Sequence, residues 1–261
     1  GDWYDGGFWA DLYTHNWAED SKPLYDTWKY LYKVIVFSND ALTTIDKHKQ
    51  LLTDEQYKAY RAEVRAIRAL YYYYLMDMFG NIPLVTTAGE STENADQASR
   101  PEVYRFIVKE LQEVTPLLPT GHSNLLGKNY GRVTRSVANF LLAKLMLNGE
   151  VYSDADWTDN QQPNGKQTYF TINGQQMNIW QACKYYCDEL TADGFTLAAD
   201  YLSNFSVNNE NSPENIFTIP LDKHLYKSQF QYLFRSRHYS HGGAFGTGSE
   251  NGACATISTV K

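Results

Sequence analysis

The chain has 261 residues, enough to bury a sizeable core without disulfide help. Its 23 basic and 30 acidic side chains leave a formal charge of −7, with no basic run and no stripe of Lys/Arg interleaved with aromatics, which argues against a nucleic-acid partner. Three cysteines, Cys183, Cys187 and Cys254, exclude an even disulfide framework, and the longest uncharged apolar run, after Arg68, falls far short of the roughly 20 residues a membrane span needs.

The compositional anomaly is aromatic. Twenty-one Tyr, 12 Phe and 6 Trp make up 15% of the residues, and many stand among Gly, Asn and Asp rather than in helical stripes. In the opening segment GDWYDGGFWADLYTHNW, Trp3, Tyr4, Trp9, Tyr13 and Trp17 lie beside Asp, Asn and His. A sugar needs flat rings against its C–H face and polar side chains beside them for its hydroxyls, and this segment supplies both. Each ring is equally open to the plainer reading of an anchor onto the first helices. Trp17 beside Asn16 is the preferred binding pair.

From Asp26 to about Lys47, apolar residues recur at helical spacing between charged ones, which predicts an amphipathic helix. Thr53 and Gln56 form a capping-box pattern that opens a second helix running to Phe79 and ending at Gly80-Asn81-Ile82-Pro83. Its later part, 66–78, is apolar or aromatic almost all round and is expected to pack on more than one side. Within it, Glu63, Arg65 and Arg68 read as ion-pairing residues that fix helix packing rather than ligands, and Tyr71 to Tyr74 as core and shoulder packing.

A small-residue linker leads to Ser99, Pro101 and Glu102, a capping pair with proline in the first turn, and a helix to about Leu118. After the loop SNLLGKNYGRVT, Ser136 to Tyr152 is predicted as one nearly all-apolar helix, and Asn178 to Asp193 as another, with Cys183 and Cys187 as small core residues. Between those two helices, Trp157 and Tyr169 are a further aromatic pair. Asp154, Asp156 and Asp159 beside them can be read as a glycosidase-like carboxylate pair or a calcium loop, but Asp-rich loops are usually solvated and calcium requires six or more oxygens. Beyond Gly194 the helical period disappears and loops with short extended segments are expected. There Tyr226, Tyr232, Arg237 and Tyr239 form a second aromatic and polar group. The layout is all-α, with degenerate tetratricopeptide-like helix pairs, long irregular loops and a few short strands.

Three segments, WKYLYKVIVFSNDAL, RAEVRAIRALYYYYLMDMFGNIPLVT and GRVTRSVANFLLAKLMLNGEVY, with PENIFTIPLD and NGACATISTVK after them, resemble the SusD/RagB family in order and pattern. The central segment is the most specific, with Ile67 where the family usually has Leu. The resemblance implies a single SusD-like domain over residues 1–261: an aromatic N-terminal loop segment at 1–24, a helical part at 25–200, and the start of an irregular C-terminal part at 201–261. It further implies an incomplete chain, because the family's lipoprotein signal with its acylated cysteine is missing and members continue well past Asn251-Gly252.

The function implied by the resemblance is that of a glycan-binding outer-membrane lipoprotein at the cell surface, not an enzyme, with a SusC-like TonB-dependent transporter as partner. The family has no shared glycan-contact motif, so the site residues come from this chain's own chemistry: Trp9, Tyr13, Asn16, Trp17, Tyr226, Tyr232, Arg237 and Tyr239. No cofactor is expected, calcium excepted. The alternatives are a repeat scaffold that binds a peptide or protein and a helical glycoside hydrolase, which would require a carboxylate pair across an aromatic cleft.

Overall fold

The computed structural model describes residues 10–89, 95–206 and 209–220. The chain forms two compact units, one of residues 1–29 with 221–261 and one of residues 30–220. In the first, the described residues contain helix α1 (Ala10–Thr14) and the opening of α2 (Lys22–Lys47), which starts one turn earlier than its apolar spacing predicts. Ser21 makes that earlier start: its carbonyl accepts from the Leu24 and Tyr25 amides, and its Oγ accepts from the Ala18 amide at 3.0 Å.

The second unit is helical. It contains the remainder of α2, then α3 (Asp54–Phe79), α4 (Arg100–Val114), α5 (Arg135–Leu147), α6 (Gly149–Tyr152) and α7 (Ile179–Ala192). Two antiparallel ribbons punctuate it: β1 (Ile82–Pro83) with β2 (Gln97–Ala98), and β3 (Tyr169–Ile172) with β4 (Gln175–Asn178). The α3–α4 and α5–α7 pairs are the principal helix contacts, in keeping with the all-α, tetratricopeptide-like expectation.

Helices α3, α4 and α7 begin at capping boxes. Thr53 Oγ1 accepts from the Gln56 amide and the Gln56 side chain accepts from the Thr53 amide at 3.0 Å. The Glu102 carboxylate takes the Ser99 amide at 2.8 Å. Asn178 Oδ1 accepts from the Trp180 and Gln181 amides while Gln181 Oε1 takes the Asn178 amide. Each satisfies backbone donors that the first turn leaves unpaired, typically a contribution of about 1 kcal/mol. At the other end of α3, Gly80 sits at φ +73° and returns its amide to the Met76 carbonyl, a conformation glycine adopts without Cβ strain.

The core of this unit comprises Ile35, Ala69, Tyr72, Leu75, Met76, Ile82, Ile107, Leu142, Leu145, Met146 and Ile179, all out of water. Tyr72 is tied to the strand region by two bonds: its hydroxyl donates to the Val85 carbonyl at 2.6 Å and accepts from the Val85 amide at 2.8 Å. Tyr32 and Asn39 of α2 reach the carbonyls of Pro83 and Val85.

The charged residues of α3 lock helices together, as expected. Arg65 and Arg68 both donate to Glu110 of α4, Arg65 also to Glu113, and Arg132 pairs with Glu63 through two bonds.

Three expectations are corrected. The helix predicted over 136–152 is broken at Asn148, at φ −99° and ψ 14°, into α5 and α6, at an Asn-Gly pair of low helix propensity. Helix α4 ends at Val114 and gives way to a 3-10 turn at Thr115–Leu117, where Pro116 cannot donate to a continuing α-helix. Cys187 is exposed and Cys183 half-buried, because α7 buries the stripe Ile179, Ala182, Tyr186 and Leu190 and leaves the cysteines beside it. The tyrosine run is core and shoulder, as expected: Tyr72 and Tyr73 are buried, Tyr71 is half-buried and Tyr74 exposed.

Candidate functional site

In the unit that contains residues 1–29, α1 ends where His15 takes a left-handed φ of +57° and the Asn16 amide returns to the Asp11 carbonyl at 2.9 Å. This turn lifts Trp17 clear of the helix. The residue is 49% exposed, with the His15 ring 5.4 Å away at a 57° tilt. Asn16 is exposed beside it. Trp17 is thus a half-exposed ring with a tilted imidazole against it and an exposed amide next to it in the chain, the residue types that stack on and hydrogen-bond to a pyranose. Tyr25, in the first turn of α2, is also exposed and carries Lys29 Nζ 5.8 Å from its ring centroid.

Of the eight residues selected from sequence, Asn16 and Trp17 are placed, side by side. Tyr13 lies in α1, but its side chain is outside the described residues, as are Trp9, Tyr226, Tyr232, Arg237 and Tyr239.

In the unit of residues 30–220, the second apolar side of α3 lines a groove of about 850 Å³. Tyr60, Val64, Ile67, Tyr71 and Tyr74 recur at helical spacing along one wall, and Phe217 and Ile219 face them. The Glu63–Arg132 pair closes one edge, with Arg132 Nη2 2.5 Å from Glu63 Oε2. Tyr71 makes ring contacts with Tyr30 and Tyr74, and its hydroxyl lies 3.4 Å from that of Tyr30. The all-round apolar character of 66–78 points to a second packed side; that this side is an open groove depends on Phe217 and Ile219, which are distant in sequence.

The region around Trp157 forms a smaller patch. Trp157 is 59% exposed and its ring lies 5.3 Å from the Arg100 guanidinium, a cation–π contact, while Arg100 Nη2 donates to the Asp154 carbonyl at 3.0 Å. Asp154, Asp156 and Asp159 each accept from a backbone amide two residues ahead, so their carboxylates build turns. Hydrogen bonds from Thr158 hold the Asp156 carboxyl below its ordinary range. Among the described residues no group of three or more His, Cys, Asp and Glu is arranged to hold a metal ion.

Residues 3–147, more than half of the chain, match the SusD-like family described as starch-binding and associating with the outer membrane. The chain belongs to the SusD-like family. A SusD-like protein, P25, of Formosa agariphila is 24% identical over 227 residues, 86% of this chain and 37% of that protein. A SusD superfamily protein of Bacteroides vulgatus has the same fold, with a TM-score of 0.64 at 18% identity over 82% of this chain and 40% of its own. Surface glycan-binding protein A of Bacteroides thetaiotaomicron, solved in complex with laminarihexaose, gives a TM-score of 0.52 at 25% identity over 73% of this chain and 34% of its own. This SusD-like chain thus spans about two fifths or less of the length of these relatives. No helix among its described residues is long and apolar enough to cross a membrane.

Proposed function

We propose that this SusD-like chain is part of a cell-surface glycan-binding protein that captures oligosaccharide or polysaccharide without cleaving it. The observation that carries the reading is the match of residues 3–147 to a starch-binding, outer-membrane-associated family; the laminarihexaose complex of a similar fold supports it. Trp17 and Asn16 form the proposed contact surface, joined by Trp9, Tyr13, Tyr226, Tyr232, Arg237 and Tyr239. Each contact is modest, so affinity comes from several rings and many hydrogen bonds along a polymer. In this reading a lipid anchor holds the protein at the outer membrane and a SusC-like TonB-dependent transporter receives the glycan, with no cofactor taking part.

Native affinity gels with plant, mucin and microbial polysaccharides test it, comparing the wild type with a Trp9→Ala, Trp17→Ala double variant. One glycan should retard the wild type and not the variant, with the melting temperature unchanged. Retardation retained in the variant would move the site to residues 221–243, and release of reducing sugar would replace binding by hydrolysis.

The groove along α3 favours a second reading. Its wall is mostly apolar, with three tyrosines and one ion pair, which suits a peptide or protein segment better than a hydroxyl-rich chain. Retardation by none of the polysaccharides would give this reading precedence.

A further inference from the structure

A second cavity, of about 310 Å³, lies between α4, α5 and α7 under the β3–β4 ribbon. Its walls are held in place by their own hydrogen bonds. Gln112 Nε2 donates to the Thr171 carbonyl at 3.2 Å and to the Tyr186 hydroxyl at 3.3 Å, and Asn173 Nδ2 donates to the Tyr185 hydroxyl at 2.8 Å. Helix α4, the ribbon and α7 are therefore fixed to one another around the opening before anything enters it. Burial pushes the Tyr186 hydroxyl up to about 12, against the opposing bond from Gln112, so it remains a neutral donor.

The remaining polar groups are unused. Asn139 is 3% exposed, lines the cavity, and makes no side-chain hydrogen bond among the described residues. Neither of its side-chain polar atoms is fully enclosed, so both open onto the cavity, where water or a ligand completes them. One turn before it on α5, Arg135 lines the same cavity; its Nε is buried without a partner, and its guanidinium is in no ion pair among the described residues. Glu189, one turn beyond Tyr185 on α7, also faces the cavity and is likewise unpaired among them. A cation, an anion and an amide thus share one small space without satisfying each other.

We propose that this cavity binds a single ring of a neutral, hydroxyl-rich ligand, a sugar residue. The volume sits at the low end of ligand pockets and fits one ring rather than a chain. The free guanidinium and carboxylate cancel in charge, and each is planar and able to engage two adjacent hydroxyls, one as donor and one as acceptor. Asn139, nearly buried in the lining, supplies both roles, and Tyr185 adds an aromatic ring to the same lining. The site is separate from Trp17 and does not rest on the polysaccharide reading.

The test is ligand-observed NMR titration of the whole chain with glucose, galactose, mannose and xylose, and with glucuronate as the charged comparison. Saturable binding of at least one neutral sugar is expected, weakened about tenfold in Asn139→Leu, the size of one lost hydrogen bond network. The melting temperature of that variant should not fall, since leucine fills the space and removes an unpaired amide. Arg135→Met, at a half-buried position, should weaken binding to a similar degree and serves as an independent variant. Trp17→Ala should leave this binding unchanged even where it abolishes retardation by polysaccharide. Absence of saturation by all four neutral sugars, binding that survives both variants, or a preference of about tenfold for glucuronate over glucose would overturn the proposal.

Discussion

Arg68 donates from Nη2 to Glu110 Oε2 over 2.7 Å, joining α3 to α4 where both side chains are nearly out of water. Arg65 donates to the same carboxylate at 2.5 and 3.2 Å, and Arg68 Nη1 continues to Asn39 of α2 at 2.8 Å. Glu110 therefore meets two guanidinium groups at the junction of three helices, and Glu113 is a second partner for Arg65.

Replacing Glu110 by Ala should destabilise the protein by about 3–5 kcal/mol, because it strands the buried Arg68 cation, while Arg65 keeps Glu113 as its partner. Urea unfolding checks this. Adding Arg68→Met to Glu110→Leu should recover much of the loss, since an apolar pair of similar volume carries no desolvation penalty.

The same carboxylate gives the fold a pH dependence. Burial pushes the Glu110 carboxyl up, but hydrogen bonds and charges from Arg65 and Arg68 outweigh burial and hold it below its ordinary value of 4.5. In that range the unfolded chain binds the proton more readily than the folded one. The stabilisation is thus complete above pH 4.5 and is lost as pH falls through the lower folded-state value. Urea midpoints at about pH 7, 5 and 3 should show the decline for wild type, and a shallower one for Glu110→Gln.

Tyr72→Phe should cost about 2 kcal/mol, although it removes a single oxygen. The Val85 amide loses its partner in the core, and the Val85 carbonyl is left with Asn39 alone. The Val85 amide should also exchange its hydrogen markedly faster, which native-state exchange by NMR would detect.

Gly149→Ala should lower stability by about 1–3 kcal/mol. An added Cβ would stand 2.8 Å from the Tyr104 hydroxyl and 3.0 Å from Ile179 Cδ1. Gly174→Ala meets nothing within 4 Å and tests backbone strain alone at φ +78°, so its loss should be smaller. Thermal melts of the two variants side by side separate crowding from strain.

Much of the scaffold is written locally. The Thr53, Ser99 and Asn178 helix starts depend on side chains three residues apart, and apolar periodicity delimits α3 and α7 to within a residue or two. What depends on distant residues is not legible in the same way. The break at Asn148 falls at an Asn-Gly pair within an apolar run that conceals it, and the close packing of Tyr104 and Ile179 on Gly149 comes from residues distant in the chain. The β3–β4 ribbon does carry a signal, Asn173-Gly174, whose φ values of +50° and +78° suit a tight hairpin turn; the surrounding aromatic and Asp-rich chemistry overshadows it. Asn16 and Trp17 are legible as a pair because they are neighbours in the chain. The cavity of Arg135, Asn139 and Glu189 draws on α4, α5, α7 and the ribbon, whose local signals fix their ends and turns but not their meeting.

The capping boxes have a consequence for how such a scaffold can vary. Because α3, α4 and α7 each take their first residue from a bond pair within their own opening turn, a loop upstream can be lengthened, shortened or rewritten without changing which face the helix turns inward. Longer loops cost little closure entropy, so surface segments are free to be exchanged over a fixed helical frame. New recognition surfaces can then arise by substitution in loops alone, while the packing beneath them is inherited unchanged.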